Sequence, residues 1–246
     1  MRDKLILLEE IDSTNAYLKQ LALQGAEEYT AVLAARQTGG RGRLGRSFFS
    51  PEGGVYLSVL YRPKMDVGLI PSLTVLAAVA VARGIEKYCG LSCGIKWTND
   101  IEYDGRKLCG ILCESAFLGS VPNVIVGIGI NVNTTEFPED IRDRAGSLCR
   151  FVSGKLDAQA AALSVLEELD LAYQAYPGCQ KAAMEEYRRR CTTVGREVSW
   201  QKDGMTCQGL AVGVDDLGGL VVETAAGTEI LRWGEASVLP KKEEKA

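Results

Sequence analysis

The sequence predicts an α+β fold: a mixed sheet flanked by helices, followed by a small β appendage of the barrel type. Three observations carry this expectation. Short segments rich in Val, Ile and Tyr are joined by tight turns, so neighbouring strands look antiparallel. Segments with helical spacing lie among the strands without a strict strand–helix alternation. From Val194 to Leu239 only short alternating segments broken by glycine remain, the pattern of a small barrel. The chain has 246 residues, 46% hydrophobic and 24% charged. That is ordinary for a globular protein and enough for one sizeable core without covalent staples. The expected division is a main domain over 1–191 and a small β domain over 192–246.

Taken in order, Asp12-Ser13-Thr14-Asn15 precedes "AYLKQLALQG", which ends at Gly25. Small oxygen-bearing residues ahead and glycine behind are helix start and stop signals. "YTAVLAAR" (29–36) is expected to be a strand feeding a glycine-arginine loop, and "GGVYLSVLYR" (53–62) an alternating strand. "SLTVLAAVAVARGIEKY" (72–88), after Pro71, is a mostly apolar helix. "CGIKW" (93–97), "KLCGILCES" (107–115) and "NVIVGIGINVN" (123–133) are short strands, with turns at Asn99-Asp100 and Asp104-Gly105. "TTEFPEDIRDRAGSL" (134–148) is expected to be a flexible polar loop. Ala158 to Tyr176 and Cys179 to Arg190 are amphipathic helices, the second closing on three arginines. The tail "KKEEKA" is the only biased segment.

The formal net charge is -4, which argues against a protein that coats DNA or RNA, since that needs a wide basic surface. The four-residue apolar run Leu5 to Leu8 is too short for a signal-peptide core, and no run approaches the ~18 apolar residues of a membrane span. The expected compartment is therefore the cytoplasm, with eight reduced cysteines. Two C-x3-C pairs, Cys89/Cys93 and Cys109/Cys113, have zinc-compatible spacing. Strand alternation around Ile111 favours buried structural thiols, so no metal site is expected. There is no histidine, which excludes Ser-His-Asp and Cys-His catalysis.

"RQTGGRGRLGRSFF" (36–49) contains Gly40-Arg41-Gly42-Arg43-Leu44-Gly45, a formal G-x-G-x-x-G. A dinucleotide fingerprint needs a helix after its glycines. Here Pro51 and Gly53-Gly54 follow, which cannot open a long helix. No G-K-[ST] follows either, so a phosphate-binding P-loop is excluded. A disordered arginine-glycine RNA segment is disfavoured by the motif's single copy between two strands. What remains is a loop whose glycines let backbone approach a ligand while its arginines neutralise an anion. If the loop is extended, Arg41 and Arg43 project the same way.

Lys96, Asp100 and Lys107 should meet around a hairpin beside Trp97, where a half-buried lysine can neutralise a carboxylate or the charge developing on an acyl phosphate. Asn131 and Asn133 are either edge contacts to a ribose or base, or strand caps. Asp12-Ser13-Thr14-Asn15 is either a helix cap alone or also a source of hydroxyls for a small polar ligand.

"EIDSTN", "ARQTGGRGRLGRSFFSPEGGVYLSV", "KWTNDI", "GRKLCGIL" and "GIGINVN", in that order, resemble the biotin–protein ligases, also called biotin–[acetyl-CoA-carboxylase] ligases. The resemblance runs from Ile11 to Asn133 and extends to the small β domain. It implies a catalytic domain of the class II aminoacyl-tRNA synthetase/biotin ligase type with a C-terminal SH3-like barrel. The type implied is monofunctional, without an N-terminal DNA-binding domain. The implied reaction uses ATP and Mg²⁺ to make biotinyl-5′-AMP, then transfers biotin to one lysine of a biotin carboxyl carrier protein. By position, Ser13, Thr14, Asn15, Gln37, Gly40 and Arg41 should serve the biotin pocket. Arg43 and Arg46 should face the phosphates, Lys107 the carboxyl/adenylate junction and Lys96 the anhydride. Asp100 should orient the incoming lysine. Gly110, Gly127, Gly129 and Asn131 belong to the same binding set, and Asn131 with the 134–148 loop should cover adenine. The family usually has Pro where this chain has Thr98; activity is expected to survive. The alternatives are a lipoate or octanoate ligase or transferase of related fold, and a catalytically silent biotin sensor. The expected partners exclude DNA and membrane and admit a homodimer.

Overall fold

The computed structural model describes residues 4–63, 70–118, 121–232 and 236–239. Trp233 and the tail "KKEEKA" lie outside them. The main sheet has seven strands in the order β1-β2-β3-β7-β6-β5-β4. In chain order these are β1 (Leu5–Ile11), β2 (Ala31–Gln37), β3 (Val55–Tyr61), β4 (Gly94–Lys96), β5 (Asp100–Tyr103), β6 (Arg106–Leu118) and β7 (Val121–Ile130). Only β1–β2 is parallel; the other pairs are antiparallel.

Side chains alternate across a strand, so each face of this sheet needs its own cover. On one face α2 (Ile70–Cys89), α3 (Ala158–Ala175) and α4 (Gln180–Arg190) bury Leu57, Val59, Val126 and Ile111 in the larger core. On the other, α1 (Thr14–Leu23) sets Leu18 and Ala22 against Val32, Leu60 and Ile125. Ser13 caps α1, its Oγ accepting from Ala16 N at 3.4 Å. The helix thus begins inside the "DSTN" motif, which places Thr14 and Asn15 in its first turn. α2 opens at Ile70, so Pro71 falls in its first turn, where the N–H it lacks has no helical partner.

The second sheet comprises β8 (Glu197–Lys202), β9 (Met205–Val214), β10 (Leu220–Thr224), β11 (Gly227–Leu231) and β12 (Ser237–Val238), antiparallel in the order β11-β10-β9-β8-β12. Closure into a barrel is not among the pairings of the described residues. The sheet is anchored to the main domain through Trp97. Its backbone N–H donates to Thr193 Oγ1 at 3.0 Å, and its indole Nε1 donates to Gly218 O at 2.8 Å.

Several local expectations need correction. β1 and β5 are strands that the sequence reading did not name. The turn assigned to Asn99-Asp100 occupies residues 97–99, and Asp100 starts β5. The Trp97–Thr98 peptide bond is cis. β3 alternates in chemistry but not in burial, because both of its faces are covered. The 134–148 loop is irregular yet tied down: Lys107 N donates to Arg144 O at 2.7 Å and Gly146 N to Lys107 O at 2.9 Å.

Candidate active site

The glycine-arginine loop is folded, not extended. Gly42 N donates to Arg46 O at 2.7 Å and Arg46 N to Arg43 O at 3.2 Å, closing a turn over Arg43–Gly45 with Leu44 at φ 54°. Arg41 pairs with Ser47 and Phe48 N donates to Gly40 O at 2.9 Å, so the two ends of the loop run side by side. The expectation that Arg41 and Arg43 project together from an extended chain is therefore corrected. Arg43 Nη1 donates to Asn99 Oδ1 at 3.0 Å. Asn99 is held in turn by Ile111, whose O accepts from its Nδ2 at 2.6 Å and whose N–H donates to its backbone O at 3.0 Å.

The loop roofs a half-open cavity of about 330 Å³ on the face of β6 and β7. One end is polar: Ser13, Thr14 and Asn15 at the start of α1, with Gln37 from the end of β2. The other end is charged, with Arg41, Arg43 and Arg46 from the loop and Lys96, Asp100 and Lys107 from β4, β5 and β6. Lys107 Nζ lies 2.7 Å from Asp100 Oδ1 and Glu102 also lines the cavity, so the cluster is cationic with two carboxylates among its members.

The floor between the two ends is bare backbone. Gly110 and Gly129 are register partners on β6 and β7, and the Phe48 ring lies over them. A Cβ at Gly129 would sit 2.4 Å from that ring, and one at Gly110 3.0 Å away. A Cβ on Gly127 would lie 2.1 Å from Asn15 Oδ1. These glycines serve close approach, and no turn requires them. Phe48 also packs edge-on to Tyr56, and Lys107 Nζ stands 5.8 Å from its centroid. The Phe48 ring therefore belongs to this cavity.

Asn131 is 5% exposed and pins the covering loop. Its Nδ2 donates to Gly146 O at 3.0 Å, and its backbone bonds to Leu108 and Leu148. From the same loop Phe137, Ile141, Arg144 and Ala145 reach the cavity, and Ala236 and Ser237 reach it from the second sheet. Of the expected set, only Gly40 is outside the lining. A Cβ there would lie 2.3 Å from Ser50 Oγ and 2.4 Å from Phe48 O, so its part is to let the loop's ends close together. Asn99, Ser58 and Glu114 were not singled out from the sequence. Ser58 carried a signal, being the lone aliphatic hydroxyl in the run "VYLSVLY".

The cysteines stand apart from this chemistry. Burial pushes the Cys93 thiol up to about 12 and Cys113 up to about 11, so both remain protonated and inert. All eight are free, and among the described residues no group of three His, Cys, Asp or Glu side chains is placed to hold a metal.

A mixed sheet with a glycine floor, a buried polar end and a cationic end defines a small-molecule-binding α+β domain whose ligand carries negative charge at one side. The model of the biotin/lipoate A/B protein ligase family matches residues 7–131, and that of the biotin protein ligase C terminal domain matches residues 193–239. The chain belongs to the biotin/lipoate A/B protein ligase family. It is 38% identical over 235 residues to the bifunctional ligase/repressor BirA of Bacillus subtilis, covering 92% of this chain and 71% of that protein. It is 31% identical over 248 residues to the biotin–[acetyl-CoA-carboxylase] ligase of Paracoccus denitrificans, covering 93% and 98%. The biotin protein ligase from Aquifex aeolicus, solved in complex with biotin and ATP, superposes with a TM-score of 0.82 at 33% identity, covering 96% of this chain and 98% of that one.

Proposed function

We propose that this chain is an ATP-dependent biotin–protein ligase of the biotin–[acetyl-CoA-carboxylase] type. The observation that carries the reading is the division of one cavity into a buried hydroxyl- and amide-lined end and a cationic end. That division suits a ligand with a polar ring at one terminus and a carboxylate being joined to phosphate at the other. Family membership and the relatives named above support it.

In the first half-reaction a biotin carboxylate oxygen attacks the α-phosphorus of ATP, and the bond to the β-phosphate bridge breaks, releasing pyrophosphate. Charge accumulates at the pentavalent phosphorus, where Arg43, Arg46 and Lys107 supply preorganised cations. Lys96 supports the anhydride region. Mg²⁺ would enter with the nucleotide and offset the negative charge of its phosphates. The folded loop and the 134–148 segment then keep water from the mixed anhydride. In the second half-reaction the carrier lysine's ε-amine attacks the biotinyl carbonyl, AMP leaves, and Asp100 orients the amine. No histidine is needed, since the acyl adenylate is already activated. Residues 1–191 would carry this chemistry, with 192–246 as the small domain. The partner is a biotin carboxyl carrier domain; DNA and membrane are not expected partners. The cytoplasm is the expected setting, and a homodimer is compatible with it.

Incubation with ATP, Mg²⁺ and labelled biotin, with and without a carrier domain, tests the reading by label transfer. The family also includes lipoate ligases, so parallel reactions with lipoate and octanoate decide between the two. Pyrophosphate release with lipoate or octanoate, and none with biotin, would overturn the assignment. A biotin-binding sensor would bind without forming adenylate, which the Lys107–Asp100 pair and the three arginines argue against.

A further inference from the structure

Three consecutive residues carry the chain from β4 into β5, and each is held from a different direction. Trp97 N–H donates to Thr193 Oγ1 at 3.0 Å. Thr98 O accepts from the Tyr187 hydroxyl of α4 at 2.9 Å. Asn99 is held by β6: its backbone O accepts from Ile111 N at 3.0 Å, and its Nδ2 donates to Ile111 O at 2.6 Å. The oxygen of that amide is the atom to which Arg43 Nη1 donates at 3.0 Å.

Two rigid peptide planes meet at the Asn99 Cα and set the direction of its side chain. The plane after it is fixed by Ile111. The plane before it contains the Thr98 carbonyl, and Tyr187 fixes that one. If either plane turns, Cβ swings and Oδ1 moves with it. The amide cannot turn to compensate without giving up its bond to Ile111. Tyr187 is fully buried, and burial raises its pKa well above the ordinary tyrosine value, with the charges of Arg43 and Asp100 both felt at its hydroxyl. That hydroxyl therefore stays a donor at neutral pH. Tyr187 does not line the cavity, so its influence there runs through the turn.

We propose that Tyr187 is a positioning residue for Arg43: by holding the Thr98–Asn99 peptide it aims Asn99 Oδ1, and so fixes where the guanidinium stands at the cationic end of the cavity. What Arg43 then holds, the adenylate phosphate, rests on the biotin–protein ligase reading above; the aim of Arg43 does not.

The test compares Tyr187→Phe, Thr193→Val and Arg43→Gly in the full chain, each scored per folded molecule after urea unfolding. Tyr187→Phe removes one oxygen from a packed ring and keeps the core. Thr193→Val removes a bond of the same kind from the same turn, two peptides upstream of the one that Tyr187 holds. Release of preformed biotinyl adenylate in a filter chase should quicken about 3- to 10-fold in Tyr187→Phe, the worth of one hydrogen bond. In Thr193→Val it should change by less than about twofold. KM for biotin should stay within about twofold in both, since the polar end of the cavity is untouched. In the Arg43→Gly background Tyr187→Phe should add less than about twofold, because the side chain it aims is gone. Trypsin cleavage after Arg43 in the ligand-free protein, identified by mass, should quicken about threefold or more in Tyr187→Phe and not in Thr193→Val. Unchanged adenylate release in Tyr187→Phe, an equal loss in Thr193→Val, or the same multiplicative loss with and without Arg43 would each overturn the proposal. Wild type that makes no adenylate from biotin overturns the biotin reading alone. Cleavage after Arg43 then decides the proposal, and equal rates in wild type and Tyr187→Phe overturn it.

Discussion

Lys107 and Asp100 meet across neighbouring strands with Nζ 2.7 Å from Oδ1, in the wall of the cavity. Lys107→Ala removes a cation from the place where charge accumulates during adenylation. Pyrophosphate release should fall at least ~100-fold. The pair is partly open to solvent, so unfolding stability should move by no more than about 1 kcal/mol. Urea unfolding alongside the assay checks both, and wild-type turnover by this variant refutes the role.

Arg43 is coupled to Asn99, and through it to Ile111 of β6. Arg43→Gly should loosen the hold on the adenylate, shortening its lifetime on the protein roughly 10- to 100-fold, the worth of a charged hydrogen bond. A filter chase after single turnover reads the release rate. Unchanged retention removes Arg43 from the phosphate role.

Gly84 on α2 abuts α3: a Cβ there would sit 2.6 Å from Val165 Cα and 3.0 Å from its N. Backbone cannot rotate away as a side chain can. Gly84→Ala should cost about 1–3 kcal/mol of stability by overpacking, with turnover per folded molecule preserved. A neutral change in urea unfolding contradicts this packing.

Asp170 accepts from Tyr61 OH at 2.9 Å, and its other oxygen has no partner. Burial lifts its pKa to about 6, against an ordinary 3.8. The folded protein therefore holds a proton there that the unfolded chain releases. The resulting stability is fully present below pH 3.8 and is lost as pH rises through about 6. A shift of this size corresponds to a fall on the order of 2–3 kcal/mol. Asp170→Asn keeps an acceptor for Tyr61 and should flatten that slope. Chemical denaturation from pH 4 to 7 measures it; an identical slope in the variant assigns it elsewhere.

The α+β class, the Asp104-Gly105 turn with the strand that follows it and the helices over 158–190 were legible because periodicity and turn chemistry are local. β1 was not, since it is an edge strand with Leu7 56% exposed, and its parallel partner lies some twenty residues away. β5, at four residues, is too short to show a period. In the site, residue types were legible and their geometry was not. The arginine loop's shape depends on Asn99, which is distant in sequence, and Gly40 serves the loop's closure in place of the cavity wall. Ser58 acquires meaning only once Asn15 and Thr14 are laid over its strand.

Gly110 and Gly129 under the Phe48 ring, and Gly127 under Asn15, leave no room for a side chain, which makes the spacing above the floor a one-way variable. No natural residue is smaller than glycine, so substitution at these three points can only narrow the chamber. Any drift toward a bulkier ligand has to come from the roof, by moving Phe48 and the loop that carries it. Selectivity for width is thereby fixed in the floor, and adaptability is confined to the lid.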